Sequence, residues 1–353
     1  MKLRSMLKHL LLIVIIYPTV LFSQDPDKNY HISAIGFYNV ENLFDTLDTE
    51  NVRDSDYTPE GKNLWNTERY LEKLDRLSEV IAQLGTEATT DGLAVLGLAE
   101  IENRDVIEDL VQTEKLTERN YKIVHYDSPD KRGIDVALIY QPKYYTVESS
   151  KAYPLKIPEK PNFYTRDQLL VSGDFLGERM HFIVAHWPSR RGGEKRSSPM
   201  REAAADLARE ITDSIFKAEG ENAKVIFMGD LNDDPTNVSV KENLRAVGKE
   251  RKMKKDSYFN PFESFYKKGI GTLAWRDTWN LFDQIMLTNA FMDKSDYSTL
   301  TFYKAVVFNK SFLQQKGGRF EGYPYRSYAG GQYLGGYSDH FPVYLFLLRE
   351  IKD

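Results

Sequence analysis

Apolar residues in this chain fall into short runs, separated by stretches in which they recur every three or four positions. Runs at residues 32–38, 93–99, 136–140, 182–185, 225–228, 285–287 and 341–348 have the length of buried strands. Between them, Leu71, Leu74, Leu77, Val80, Ile81 and Leu84 share one face of a helix over residues 67–84. Ala204, Leu207, Ala208, Ile211 and Ile215 do the same over residues 200–216. Strands alternating with helices predict an α/β architecture. Residues 144–164 and 249–268, rich in Lys, Pro and aromatic residues without a clean period, are expected to be loops or edge elements. The Gly- and Tyr-rich stretch 317–337 is expected to be a long functional loop. No repeat and no domain boundary interrupts the pattern.

Polar residues with chemical potential stand at the ends of these runs. Asn39 and Glu41 follow the first, Glu100 the second, His186 the fourth and Asp230 the fifth, while Asp283 and the pair Asp339-His340 precede the last two. Strands that leave an edge and strands that enter it deliver such residues to one place when neighbours run antiparallel, so a mixed sheet is expected.

The beginning of the chain has a different chemistry. Lys2, Arg4 and Lys8 precede an apolar run over residues 10–22, which ends at Ser23 and gives way to polar sequence. That layout predicts a signal peptide over residues 1–23, a short polar linker over 24–31, and one domain over 32–353 in an exported protein, periplasmic or secreted. The run is shorter than the roughly 20 residues that span a bilayer, so no membrane anchor is expected after cleavage. With no Cys, the chain has neither disulfides nor thiolate chemistry, and any metal site falls to carboxylates, amides and His. A formal charge of −5 argues against a protein that coats nucleic acid nonspecifically. It leaves room for a hydrolase that holds phosphate through a bound cation. No protein partner is implied, and a monomer is expected.

Two segments carry the chemistry most directly. In Lys224-Val-Ile-Phe-Met-Gly-Asp-Leu-Asn-Asp-Asp-Pro, an apolar run brings Asp230 and Asn232 to one side of an extended chain. The carboxylate could take a proton from water and the amide could donate to a phosphoryl oxygen; a plain Asp/Asn turn is the other reading. In Gly336-Tyr-Ser-Asp-His-Phe-Pro, a carboxylate beside a His could bind a cation or hold the imidazole protonated. An Asp closing a loop beside a backbone-capped His is the alternative.

Six ordered segments, Phe37-Tyr-Asn-Val-Glu-Asn-Leu, Leu96-Gly-Leu-Ala-Glu-Ile-Glu-Asn, Val184-Ala-His-Trp-Pro-Ser, Met228-Gly-Asp-Leu-Asn-Asp, Phe282-Asp-Gln-Ile and Tyr337-Ser-Asp-His-Phe-Pro, together resemble the motifs of the endonuclease/exonuclease/phosphatase superfamily. Its members include deoxyribonuclease I, exonuclease III, inositol polyphosphate 5-phosphatases and sphingomyelinases. The resemblance implies a four-layer α/β sandwich, with two mixed sheets face to face and helices outside. It implies Glu100 as the main Mg²⁺ ligand with Asn39 and Asp339 close by, Mn²⁺ or Ca²⁺ being possible substitutes. Asp230 and Asn232 match the pair that activates water and holds phosphate, Asp283 the carboxylate that orients His340, and His186 a second active-site His.

Two further expectations concern this chain's own residues. Asp135, set in the apolar stretch Lys131-Arg-Gly-Ile-Asp-Val-Ala-Leu, needs a partner if buried; it either orients His186 or pairs with Arg132 or another base. Arg190 and Arg191 lie in a basic, Gly-containing loop just after His186 and are expected to contact substrate phosphate. The leading functional expectation is a nuclease, an endonuclease, cleaving phosphodiesters of DNA or RNA by metal-assisted attack of water. A phosphatase or phospholipid phosphodiesterase, inositol-phosphatase- or sphingomyelinase-like, is the alternative. A non-catalytic binding module is the remotest, because Glu100, Asp230, Asp283 and His340 are all present.

Overall fold

The computed structural model describes residues 29–351, so the expected signal peptide and most of the linker lie outside the described residues. Two sheets form the centre. The first is built from β1 (Asn29–Leu43), β2 (Leu93–Ile101), β3 (Lys122–His125) and β4 (Asp135–Tyr140). The second contains β5 (Tyr145–Tyr153), β6 (Gln168–Phe175), β7 (Glu178–His186), β8 (Lys224–Asp230), β9 (Ala246–Val247), β10 (Tyr258–Phe259) and β11 (Asp283–Thr288). The chain then returns to the first sheet with β12 (Thr301–Val307) and β13 (Val343–Ile351). Strand orders are β12-β13-β1-β2-β4-β3 and β5-β6-β7-β8-β11-β10-β9. Both are mixed: β1 and β2 run parallel, as do β7 and β8, while their other neighbours are antiparallel.

The alternation of side chains along the second sheet creates the layers. On β8, Ile226 and Met228 point into the core between the sheets, whereas Val225 and Phe227 point outward to Ala204, Ala208 and Ile211 of α3 (Glu194–Glu219). On β7, Phe182 and Val184 face inward, and Ile183 and Ala185 outward. Leu74, Leu77, Val80 and Ile81 of α1 (Thr67–Gln83) and Val106, Ile107 and Leu110 of α2 (Arg104–Gln112) join the cluster on the first sheet. Helix, sheet, sheet, helix is the four-layer sandwich that the resemblance implied.

Boundaries differ from the sequence expectation for local reasons. β1 begins at Asn29 because residues 29–31 pair with Ile351, Glu350 and Arg349, which takes the end of the expected linker into the sheet. The last strand starts at Val343 instead of 341, since Pro342 has no N–H to offer a ladder and the Phe341 N–H goes to the Thr272 carbonyl. α3 begins six residues before the expected start and accommodates Pro199 in its second turn. β5 is an edge strand, one of the two outcomes expected for residues 144–164.

Candidate functional site

Strand ends from both sheets meet at one place. His186 closes β7, Asp230 closes β8 and Asp283 opens β11, and the register sets His186 and Asp283 opposite Asp230 on its two flanks. From the first sheet, β1 contributes Asn39 and β2 contributes Glu100, while His340 enters three residues ahead of β13. The pairing of β1 with β2 slips after Asn39, and that of β2 with β4 slips between Ala99 and Ile101. At these slips Glu41, Asn42 and Glu100 adopt positive φ, 53°, 51° and 64°, a region that non-Gly residues rarely occupy. The irregularity turns Glu100 out of the ladder and lets its Oε2 accept the Asn42 N–H at 3.0 Å.

Asp230 is the hub. Its Oδ2 accepts from Asn39 Nδ2 at 3.0 Å, across the gap between the sheets, and lies 3.4 Å from His186 Nε2 and 3.9 Å from His340 Nε2. Its Oδ1 accepts the Asn232 N–H at 2.9 Å, for which Asn232 takes a left-handed φ of 49°. Burial raises the Asp230 carboxyl to about 6; His340 pulls the other way and Asp283 adds to the rise.

The two histidines are held in opposite charge states. Burial, then the charges of Arg166, Arg132 and His340, keeps His186 well below the ordinary imidazole range and therefore neutral. Burial would lower His340 too, but the charge and the 2.7 Å hydrogen bond of Asp283, with Asp230 and Asp339 behind it, hold it well above that range. His340 is thus an imidazolium at neutral pH.

A second acidic group adjoins the first. Glu41, Glu100 and Asp339 act together on Arg326, which comes from the Gly- and Tyr-rich loop, ion-pairs Asp339 and lies 3.8 Å from Glu41. The same three carboxylates act on Lys73, whose Nζ donates to Ser327 Oγ at 2.7 Å and the Tyr337 carbonyl at 2.8 Å. Burial, then Asp339, pushes Glu41 up to about 7 against the pull of Lys73 and Arg326. Clustered carboxylates supply hard oxygen donors, and Arg132 Nη1 lies 3.9 Å from Glu100 Oε1. That donor set fits a divalent cation that prefers oxygen. Asp230, Asp283 and His340 also lie close enough to share an ion, but a protonated His340 has no lone pair to give. Those three form a charge chain.

Asn39, Asp135 and Arg190 each have protein partners in the structure. Asn39 donates to Asp230 and accepts the Glu41 N–H, so its amide links the hub carboxylate to the backbone of the acidic group. Of the two outcomes expected for Asp135, pairing with a base other than Arg132 is the one observed, and it does not reach His186. β4 lies between β2 and the edge strand β3, and Asp135 there meets His125 Nε2 at 3.0 Å and the Ser128 N–H at 2.9 Å, leaving His186 Nδ1 without a partner among the described residues. Arg190 turns inward, donating to the Asn232 carbonyl at 2.9 Å and to Asp233 and Asp234 at 3.2 Å each, with its guanidinium over Phe282. The surplus carboxylates of the turn after Asp230 occupy its charge. Asn232 donates to the Trp187 carbonyl at 3.0 Å. Arg326 and Lys73 were not anticipated; the loop carrying Arg326 was, but no spacing marks the residue.

A family description, Endonuclease/Exonuclease/phosphatase family, matches residues 34–349, nearly all of the described chain. The chain belongs to this family. Membership makes it a metal-dependent phosphoester hydrolase by class. A search of curated proteins returns no match. Among solved structures, the chain is similar to an endonuclease/exonuclease/phosphatase family protein from Bacteroides thetaiotaomicron, with TM-score 0.53, 16% identity, and 92% of this chain and 98% of the other covered. It is similar to D. rerio TDP2 complexed with a single-strand DNA product, with TM-score 0.52, 15% identity and coverage of 90% and 98%. It is also similar to a B. thetaiotaomicron mannosyl-6-phosphatase, with TM-score 0.51, 18% identity and coverage of 89% and 99%. At these identities the likeness is one of fold.

Proposed function

We propose that the protein is an exported phosphodiesterase that cleaves nucleic acid, a nuclease, using one or more divalent cations, with Mg²⁺ the expected ion. The observation that carries this reading is Asp230 set between a neutral His186 and a protonated His340, beside a separate group of oxygen donors. With its pKa near 6, Asp230 is ionised at neutral pH yet close enough to that value to take a proton from an attacking water. Asn39 and the Asn232 N–H hold it in place. The His340 imidazolium, fixed by Asp283, faces the negative charge that develops on the phosphoryl oxygens. Glu100 and Asp339 would hold the cation, which supplies further charge neutralisation at phosphate and leaving oxygen. The product of water addition is a phosphomonoester and an alcohol.

The DNA product held by the similar TDP2 supports a nucleic-acid substrate, and the similar mannosyl-6-phosphatase supports a phosphomonoester as the second reading. Export rests on the basic and apolar pattern of residues 1–23. The test is a panel of plasmid DNA, RNA, mannose 6-phosphate, inositol phosphates and sphingomyelin, with Mg²⁺, Mn²⁺ or Ca²⁺, run beside His340→Ala. Metal-dependent cleavage of DNA or RNA, lost in His340→Ala, is expected. Cleavage of a monoester or lipid alone would replace the nuclease reading.

A further inference from the structure

Next to the site, a cavity of about 400 Å³ gathers cations in a chain where acidic residues outnumber basic ones. Arg53, Lys131, Arg132, Arg166 and Arg191 line it, with Asp130 the one carboxylate. Local structure brings them together. Gly133, at φ 67°, leaves room for Val52, whose side chain a Cβ there would strike at 2.3 Å, and the Arg53 N–H donates to the Lys131 carbonyl at 2.9 Å. The segment after α3's preceding strand, residues 188–191, closes the opposite wall.

Asp130 neutralises Arg166, at 3.1 Å, and touches Arg132 only loosely, at 3.7 Å. Among the described residues Arg53 and Arg191 have no ion-pair partner, and Lys131 has only the ring of Tyr164, 5.5 Å from its Nζ. Four like charges around one cavity repel each other unless an anion joins them. Two buried polar atoms on the wall, Arg166 Nε and Thr165 Oγ1, also lack partners, and a buried donor without a partner points to a missing acceptor.

The cavity abuts the reacting centre. Arg132 lies 3.9 Å from Glu100, and the Trp187 carbonyl accepts from both Arg166, at 2.6 Å, and Asn232, at 3.0 Å. The volume exceeds that of a phosphate alone and admits a nucleoside attached to it, for which the exposed Tyr164 ring offers a stacking face.

We propose that this cavity is a second anion subsite, holding a phosphate of the substrate other than the one being cleaved. It rests on the phosphodiesterase reading and narrows it: the preferred substrate carries a phosphate on the nucleoside flanking the scissile bond. Charge-assisted contacts from two or more unpaired guanidinium and ammonium groups favour such a substrate by about tenfold or more.

The test compares three dithymidine substrates with the intact protein and Mg²⁺: TpT, its 5′-phosphorylated form pTpT and its 3′-phosphorylated form TpTp. At least one phosphorylated form is expected to exceed TpT in kcat/KM by about tenfold. In Arg53→Ala/Arg191→Ala that ratio should fall to within about twofold of unity, while Lys304→Ala, on the far strand β12, keeps it. A ratio near one for both phosphorylated forms, or a ratio unmoved by the double variant, overturns the proposal. Binding of thymidine 3′,5′-bisphosphate and of the two monophosphates to His340→Ala, by titration calorimetry, separates the two readings. No hydrolysis of any substrate, together with tighter bisphosphate binding that the added Arg53→Ala/Arg191→Ala changes abolish, would sink the phosphodiesterase reading and keep the subsite. Equal binding of all three would sink the subsite.

Discussion

Replacing Asp283 with Asn keeps the shape of the charge chain and removes its charge. Asp283 is fully buried; its Oδ2 meets His340 Nδ1 at 2.7 Å and its Oδ1 has no partner among the described residues, so His340 is the group that accounts for this carboxylate. Two unit charges at that separation attract by about 6 kcal/mol at an effective dielectric of about 20, against several kcal/mol per ion lost on burial. Among the contributions that favour the His340 imidazolium the charge of Asp283 is the largest, and Asp283→Asn removes it. His340 becomes neutral at pH 7, and the developing phosphoryl charge loses a facing cation. Loss of one such group in a preorganised site costs about 10²–10³ in kcat. The assay is steady-state cleavage of bis(p-nitrophenyl) phosphate from pH 5 to 9, with NMR titration of the His340 ring. In the variant the ring pKa should fall well below its parent value. Its kcat should fall by about that factor at pH 7, and acid should not restore it, because the Asp230 carboxylate is itself protonated below about 6. A folded Asp283→Asn protein that keeps kcat within about threefold, with an unshifted His340 titration, would refute this reading.

Two other outcomes follow from the same geometry. In the proposed role Asp230 acts as a carboxylate, and its pKa is raised to about 6, so kcat should rise with pH through about 6 and be lost below it; an acid limb near the ordinary carboxylate range would contradict that role. Arg190→Ala strands Asp233, Asp234 and the Asn232 carbonyl without this donor, so it should lower the thermal midpoint by several degrees and leave the excess of pTpT or TpTp over TpT unchanged, the reverse of a phosphate contact.

The layers were legible because burial on both faces writes near-continuous apolar runs, as in β2 and β8, and because α1 repeats its apolar face over four turns. β5, β6 and β12 were harder: their polar and apolar residues interleave irregularly, and β12 and β5 sit at sheet edges where little burial constrains them. Positions of the site residues along the chain were legible as strand ends, whereas their directions were not. The slips that swing Glu100 and Glu41 out of the ladder leave no periodic signal, and partner choice depends on neighbours distant in sequence. Asp135 illustrates this: its burial was foreseeable, but His125 becomes its partner only once β3 pairs with β4. Arg190 and Arg191 are adjacent and chemically identical, yet one is consumed by the turn after Asp230 and the other faces the basic cavity.

In the proposed function a cation held through Glu100 works with the Asp230, Asp283 and His340 chain on one phosphoryl group. Its most direct test is metal-stripped protein titrated with Mg²⁺ while phosphodiester cleavage is followed, beside Glu100→Gln. No turnover is expected without the ion, restoration on adding it, and in Glu100→Gln a half-saturating Mg²⁺ concentration raised about tenfold or more. Full activity in the stripped protein, or an identical Mg²⁺ dependence in the folded variant, would contradict that role of the cation.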